Sequence, residues 1–72
     1  MILKLDLKSH PLTPLERRIC RVLVEGANNR EIASELGIKV GTVKNYLSQI
    51  YNKLRVRNRV QLIVYYGADI RR

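Results

Sequence analysis

The sequence predicts an all-α domain of four helices. Three observations carry that expectation. Thr13, Asn28 and Asn58 are each followed three residues on by Glu16, Glu31 and Gln61, the spacing of a helix-starting capping box. Apolar residues after each start recur at intervals of three and four, the period of a helix face. Gly26, Gly37 and Gly67 follow three of these runs, where a chain leaves a helix through a left-handed residue.

In chain order, the first ten residues give only weak signals. Ile2, Leu3, Leu5 and Leu7 fit a strand-like arm or a linker, and Pro11 breaks any helix before it. We therefore divide the chain into an arm or linker over residues 1–11 and a helical domain over 12–72. The first helix starts at Thr13 with Pro14 in its first turn, a position where proline's missing N–H is harmless. Leu15, Ile19, Val22 and Leu23 share one face, while Arg17, Arg18 and Arg21 point away from it. A second, short helix begins at Asn28, buries Ile32, Ala33 and Leu36, and stops at Gly37. The third helix, Val40 to Leu54, carries Val43, Leu47, Ile50 and Leu54 on one stripe. Asn45, Ser48, Gln49 and Asn52 lie opposite, with Lys44 on the flank and Tyr46 and Tyr51 at the borders. The fourth helix runs from Asn58 to about Tyr66, closed by Gly67. It is apolar nearly all the way round, so it has two buried faces, the second meeting another copy or a neighbouring domain.

Composition narrows the function. Fourteen Lys and Arg against six Asp and Glu give a net charge of +8. No acid lies between Glu35 and Asp69, a span that holds Lys39, Lys44, Lys53, Arg55, Arg57 and Arg59. A one-signed half of a small domain suits a polyanion. Cys20 is the single cysteine, which excludes a disulfide framework and reads as a core residue in a reducing cytoplasm. No apolar run reaches the ~18 residues that a membrane span needs. A lone His10, scattered acids and no Gly-rich phosphate loop argue against an enzyme, a metal or a nucleotide, so no cofactor is expected.

The short second helix, the Gly37-Ile38-Lys39 turn and the long third helix make a helix-turn-helix pattern. In that arrangement the N-terminal half of the third helix faces base edges. Lys44 suits guanine, Asn45 pairs bidentately with adenine, and Ser48 serves either base. Gly41 and Thr42 fall in the first turn, where free N–H groups and the helix dipole favour a phosphate. Lys39 can reach a phosphate from just before that turn.

From Leu12 to about Val64 the chain resembles the LuxR/GerE family of bacterial transcriptional regulators. The matching residues are Leu12-Thr13-Pro14 with Glu16, Gly26, Asn29-Arg30-Glu31-Ile32-Ala33 and Leu36-Gly37-Ile38. They continue with Thr42-Val43-Lys44-Asn45, Ile50, Lys53-Leu54, Val56 and Arg59. The resemblance implies a four-helix DNA-binding domain whose third helix enters the major groove and whose fourth pairs two copies. It carries Lys44, Asn45 and Ser48 over as base contacts, and Thr42, Lys53, Asn29 and Arg30 as backbone contacts. Arg59 matches too, touching phosphate or bracing the third helix. Placing Leu62 in the core leaves Val60, Ile63 and Val64 for a dimer seam. The chain departs from the pattern at four positions. Leu15 replaces a usual Arg, Lys39 a capping Ser or Thr, Tyr46 a common His, and Arg55 a frequent Gly.

The expected partners are double-stranded DNA, a second copy through the fourth helix, and RNA polymerase. A membrane is not expected. Two other readings stay open at this level: a sigma-factor-like promoter-reading domain, which shares the Gly-Thr-Val-Lys start of the third helix, and a protein-interaction helical module.

Overall fold

The structure is a computed structural model that describes residues 12–70, with side chains described as far as Ala68. The expected arm over residues 1–11 lies outside the described residues. Four helices follow in order: α1 (Pro14–Val24), α2 (Asn29–Leu36), α3 (Val40–Leu54) and α4 (Arg59–Ile70). No strand occurs among the described residues.

Two of the starts are closed as their spacing predicts. Thr13 Oγ1 accepts from the Glu16 N–H at 3.2 Å and Glu16 Oε1 accepts from the Thr13 N–H at 2.9 Å. Asn28 and Glu31 repeat the pair at 2.9 and 2.8 Å. The third start differs in one respect. Asn58 Oδ1 accepts from the Gln61 N–H, but Gln61 reaches one residue further back and accepts from the Arg57 N–H at 2.7 Å.

The ends of α1, α2 and α3 share one device. After each helix a left-handed residue turns the chain, and its own N–H and that of the following residue bond back to helix carbonyls. Gly26 does this with φ 101° and Gly37 with φ 69°. The Ile38 N–H reaches the Ala33 carbonyl at 3.0 Å, and the Gly37 N–H reaches that of Ser34 at 3.3 Å. At the end of α3 the Val56 N–H reaches the Tyr51 carbonyl at 3.0 Å in the same way, but the left-handed residue is Arg55, φ 58°. It is the one non-glycine with positive φ among the described residues. A side chain there is strained, so Arg55→Gly is expected to stabilise the fold by up to about 1 kcal/mol, the looser unfolded chain offsetting part of the gain. Thermal melting reads this as a midpoint raised by a few degrees. An unchanged or lower midpoint would contradict it.

The fourth helix does not end where expected. Gly67 is not left-handed, and α4 runs through it to Ile70. Gly67 is buried there against Val24 of α1. Glycine is tolerated inside this helix because tertiary packing, not local propensity, decides its end.

The core combines one stripe from each helix. It holds Ile19, Cys20 and Leu23 of α1, Ile32 and Ala33 of α2, Val43, Leu47, Ile50 and Leu54 of α3, and Leu62 and Tyr66 of α4, with Leu12 before α1. α1 packs on α4, α2 on α3, and α1 also touches α2. The α3 stripe is as expected, and on α4 Leu62 takes the expected core place and Tyr66 a second one. On α1 the face is rotated: Leu15 and Val22 are half-buried, and the charged Glu16 takes a core place beside Ile19 and Cys20. Leu36 is likewise half-buried.

Candidate nucleic-acid interface

The core stripe of α3 fixes what its other side presents. Lys44, Asn45 and Ser48 are exposed on the outer face, and Gln49 and Asn52 are exposed with them. None of these side chains has a hydrogen-bond partner among the described residues. They are free donors and acceptors on a rigid helix, which is what base-edge reading needs. Gln49 and Asn52 were visible in the sequence as part of this face. The structure leaves them as available as the three residues singled out there.

The start of α3 is open. Lys39 precedes it in extended conformation without a side-chain cap, as its departure from Ser or Thr implies, and Thr42 and Val43 instead donate to the Lys39 carbonyl. Lys39 and Gly41 are exposed and Thr42 is half-buried. Nothing lies within 4 Å of where a Gly41 side chain would begin, so another backbone can come close. Arg30 is exposed and Asn29 half-buried at the start of α2, beside a shallow depression lined by Gly26, Ala27, Asn28, Asn29, Arg30 and Arg59.

Two residues expected at a nucleic-acid backbone have their end groups engaged inside the protein. Lys53 Nζ lies 2.8 and 3.1 Å from the two oxygens of Glu16. Glu16 is 2 % exposed, and the lysine side chain keeps 34 % of its surface in solvent. Burial pushes the Glu16 carboxyl up, but the bonds from Lys53 and Thr13 and the Lys53 charge outweigh it and hold it below its ordinary value. One carboxylate therefore caps α1 and ties it to the C-terminal end of α3. Arg59 Nη1 donates to Asn29 Oδ1 at 2.9 Å and Nη2 to the Ala27 carbonyl at 2.9 Å. It thus braces the start of α2. Sequence reasoning missed both links, because the partners lie 37, 30 and 32 residues apart.

Charge is sorted by surface. Glu25, Glu31 and Glu35 line one depression between α1 and α2, while α3 contains no acid. Cys20 is buried and its thiol is pushed up to about 12 by burial and by the Glu16 charge, so it stays protonated and inert. Among the described residues no group of three or more His, Cys, Asp and Glu is placed to hold a metal, and no helix is long and apolar enough to cross a membrane. On α4, Val60 and Val64 are 68 % and 65 % exposed, with Ile63 half-buried beside them.

A short bracing helix, a glycine turn and a long helix with a free polar face define a helix-turn-helix domain of the DNA-binding class. The model for the luxR family of bacterial regulatory proteins matches residues 10–66. The chain belongs to that family. It is 46% identical over 56 residues to the transcriptional regulatory protein DesR of Bacillus subtilis, covering 78% of this chain and 28% of DesR. It is 45% identical over 69 residues to the transcriptional regulatory protein LnrK of the same species, covering 88% of this chain and 31% of LnrK. A third relative is the putative HTH-type transcriptional regulator YhjB of Escherichia coli, 45% identical over 56 residues, with 78% of this chain and 27% of YhjB covered. The chain spans less than a third of the length of these relatives.

Proposed function

We propose that this chain reads a specific double-stranded DNA sequence for a cytoplasmic regulator of transcription, and that it works in pairs on an inverted repeat. The observation that carries the proposal is the outer face of α3, free of acids and of internal partners. Lys44, Asn45 and Ser48 contact base edges in the major groove, and Asn29, Arg30, Lys39, Gly41 and Thr42 contact the phosphates. Lys53 and Arg59 are further backbone contacts, and their internal bonds also hold α3 to α1 and α4 to the start of α2. Two copies meet through Val60, Ile63 and Val64, setting their reading helices about one DNA turn, about 34–36 Å, apart. The exposure of Val60 and Val64 supports this seam, since a small domain gains nothing from leaving two such side chains in water. RNA polymerase is the further partner that a regulator bound beside a promoter would meet. The domain itself carries out no chemistry.

Gel-shift titration over a range of salt, on a duplex with two inverted half-sites and on one with a single half-site, tests the reading. Affinity is expected to fall steeply with salt, because bound phosphates release counterions. The two-site duplex is expected to bind more tightly, without core polymerase present. Val64→Asp is expected to bring it down to the single-site level while leaving single-site binding intact. Salt-insensitive binding would count against DNA as the ligand, and equal affinity for both duplexes against the pair.

A further inference from the structure

The geometry points to Arg59 as a positioning residue that fixes which way the Asn29 carboxamide faces, with its NH2 group turned outward to donate to a DNA phosphate. The inference rests on the proposal that Asn29 is a backbone contact. An asparagine amide at a surface turns over readily, presenting either an acceptor oxygen or a donor nitrogen. Only the donor suits a phosphate; the carbonyl oxygen would repel it.

Arg59 removes the ambiguity by chemistry. A guanidinium has donors and no acceptor, so the Asn29 atom 2.9 Å from its Nη1 is the oxygen. The two N–H bonds of Nδ2 are left with no partner among the described residues, at the edge of the depression shared by Asn29, Arg30 and Arg59. The second bond, from Nη2 to the Ala27 carbonyl, holds the guanidinium plane so that it cannot swing away from Asn29. The two acceptors are held by separate nitrogens of one rigid plane, an arrangement that the single nitrogen of a lysine does not reproduce. Arg59 also opens α4, the helix proposed to pair two copies, so the orientation of the Asn29 donor is tied to that helix.

The test uses the full 72-residue chain and a duplex with two inverted half-sites, comparing Arg59→Lys, Asn29→Ala, the double variant and Asn29→Asp. Arg59→Lys keeps the charge and loses the fork. It and Asn29→Ala are each expected to bind about ten-fold more weakly per half-site, the value of one hydrogen bond to a charged group. The double variant is expected to bind no more weakly than either, because Arg59 acts through Asn29. Asn29→Asp keeps an oxygen for Arg59 and a negative charge favourable in the first turn of α2, so its melting midpoint is expected to match the parent. Its DNA affinity is expected to drop below that of Asn29→Ala, since an oxygen now faces the phosphate.

Arg59→Lys at parental affinity would overturn the positioning role, because charge alone would then suffice. Full additivity in the double variant would overturn it too. Asn29→Ala at parental affinity would instead overturn the phosphate contact on which it rests, and Asn29→Asp at parental affinity would overturn both. Melting curves for all four variants separate loss of fold from loss of binding.

Discussion

Glu16→Ala is expected to destabilise the domain by about 2–4 kcal/mol, from a lost cap and lost charge-assisted hydrogen bonds. The carboxylate is almost fully buried, accepts from the Thr13 N–H and holds both bonds from Lys53. The estimate sits below the cost of breaking a fully buried pair, because the half-free Lys53 can turn its ammonium into water. For a domain of this size the melting midpoint falls by about 4–8 °C per kcal/mol. Glu16→Gln keeps an acceptor for the Thr13 N–H and loses the anion, so it should cost clearly less than alanine. If the two variants melted together, the cap would contribute nothing and the link to α3 would carry the effect.

The same carboxylate makes stability depend on pH. Its folded value lies below the ordinary 4.5, so the unfolded chain takes up the proton first as pH falls. Its contribution is complete above about 4.5 and is lost as pH drops through the folded value. The gap in stability between the parent and Glu16→Gln is therefore expected to be constant from pH 7 to about 5 and to close below that. Melts at pH 7 and pH 3 measure it, and a gap of equal size at both would contradict the pair.

The second large effect concerns recognition. Asn45→Ala is expected to relax preference at one base pair by about ten- to a hundred-fold, the usual worth of a bidentate base contact, with the loss repeated in the other half-site. Binding to unrelated DNA should hardly change. Ser48→Ala should act in the same direction and less strongly, since a hydroxyl makes a single bond. Arg30→Ala is expected to do the opposite, weakening every sequence alike and flattening the salt dependence by about one unit per copy. Selection of sites from a randomised duplex pool, followed by salt titration, separates the two classes. Asn45→Ala selecting the parental site unchanged would remove Asn45 from the reading set. Lys53→Ala is expected to weaken every sequence alike, as Arg30→Ala does, and, because the Lys53 ammonium also bonds Glu16, to lower the melting midpoint as well.

What the sequence disclosed follows the range of the interactions. Thr13 with Glu16 and Asn28 with Glu31 are partners three residues apart, and local spacing is enough to find them. The Val43, Leu47, Ile50 and Leu54 stripe is a property of one helix and was equally plain, as was the free polar face behind it. Glu16 shows where that range ends. Spacing identified its bond to Thr13, but its bond to Lys53 depends on how α1 crosses α3, which no single helix encodes. Arg59 is the same case, its partners lying in the turn before α2 and in its first residue. Gly67 misled for a related reason. After an apolar run a glycine ordinarily marks an end, yet packing against Val24 carried α4 past it.

The state of Cys20 has a practical consequence. Its side chain has no surface in solvent and its thiol stays protonated at neutral pH, so an alkylating reagent reaches it only when α1 lifts away from the core. The rate at which this one thiol is modified is therefore a clock for the opening of the domain. It needs no introduced probe, and it can be run with and without DNA to learn how far a bound duplex holds the four helices closed.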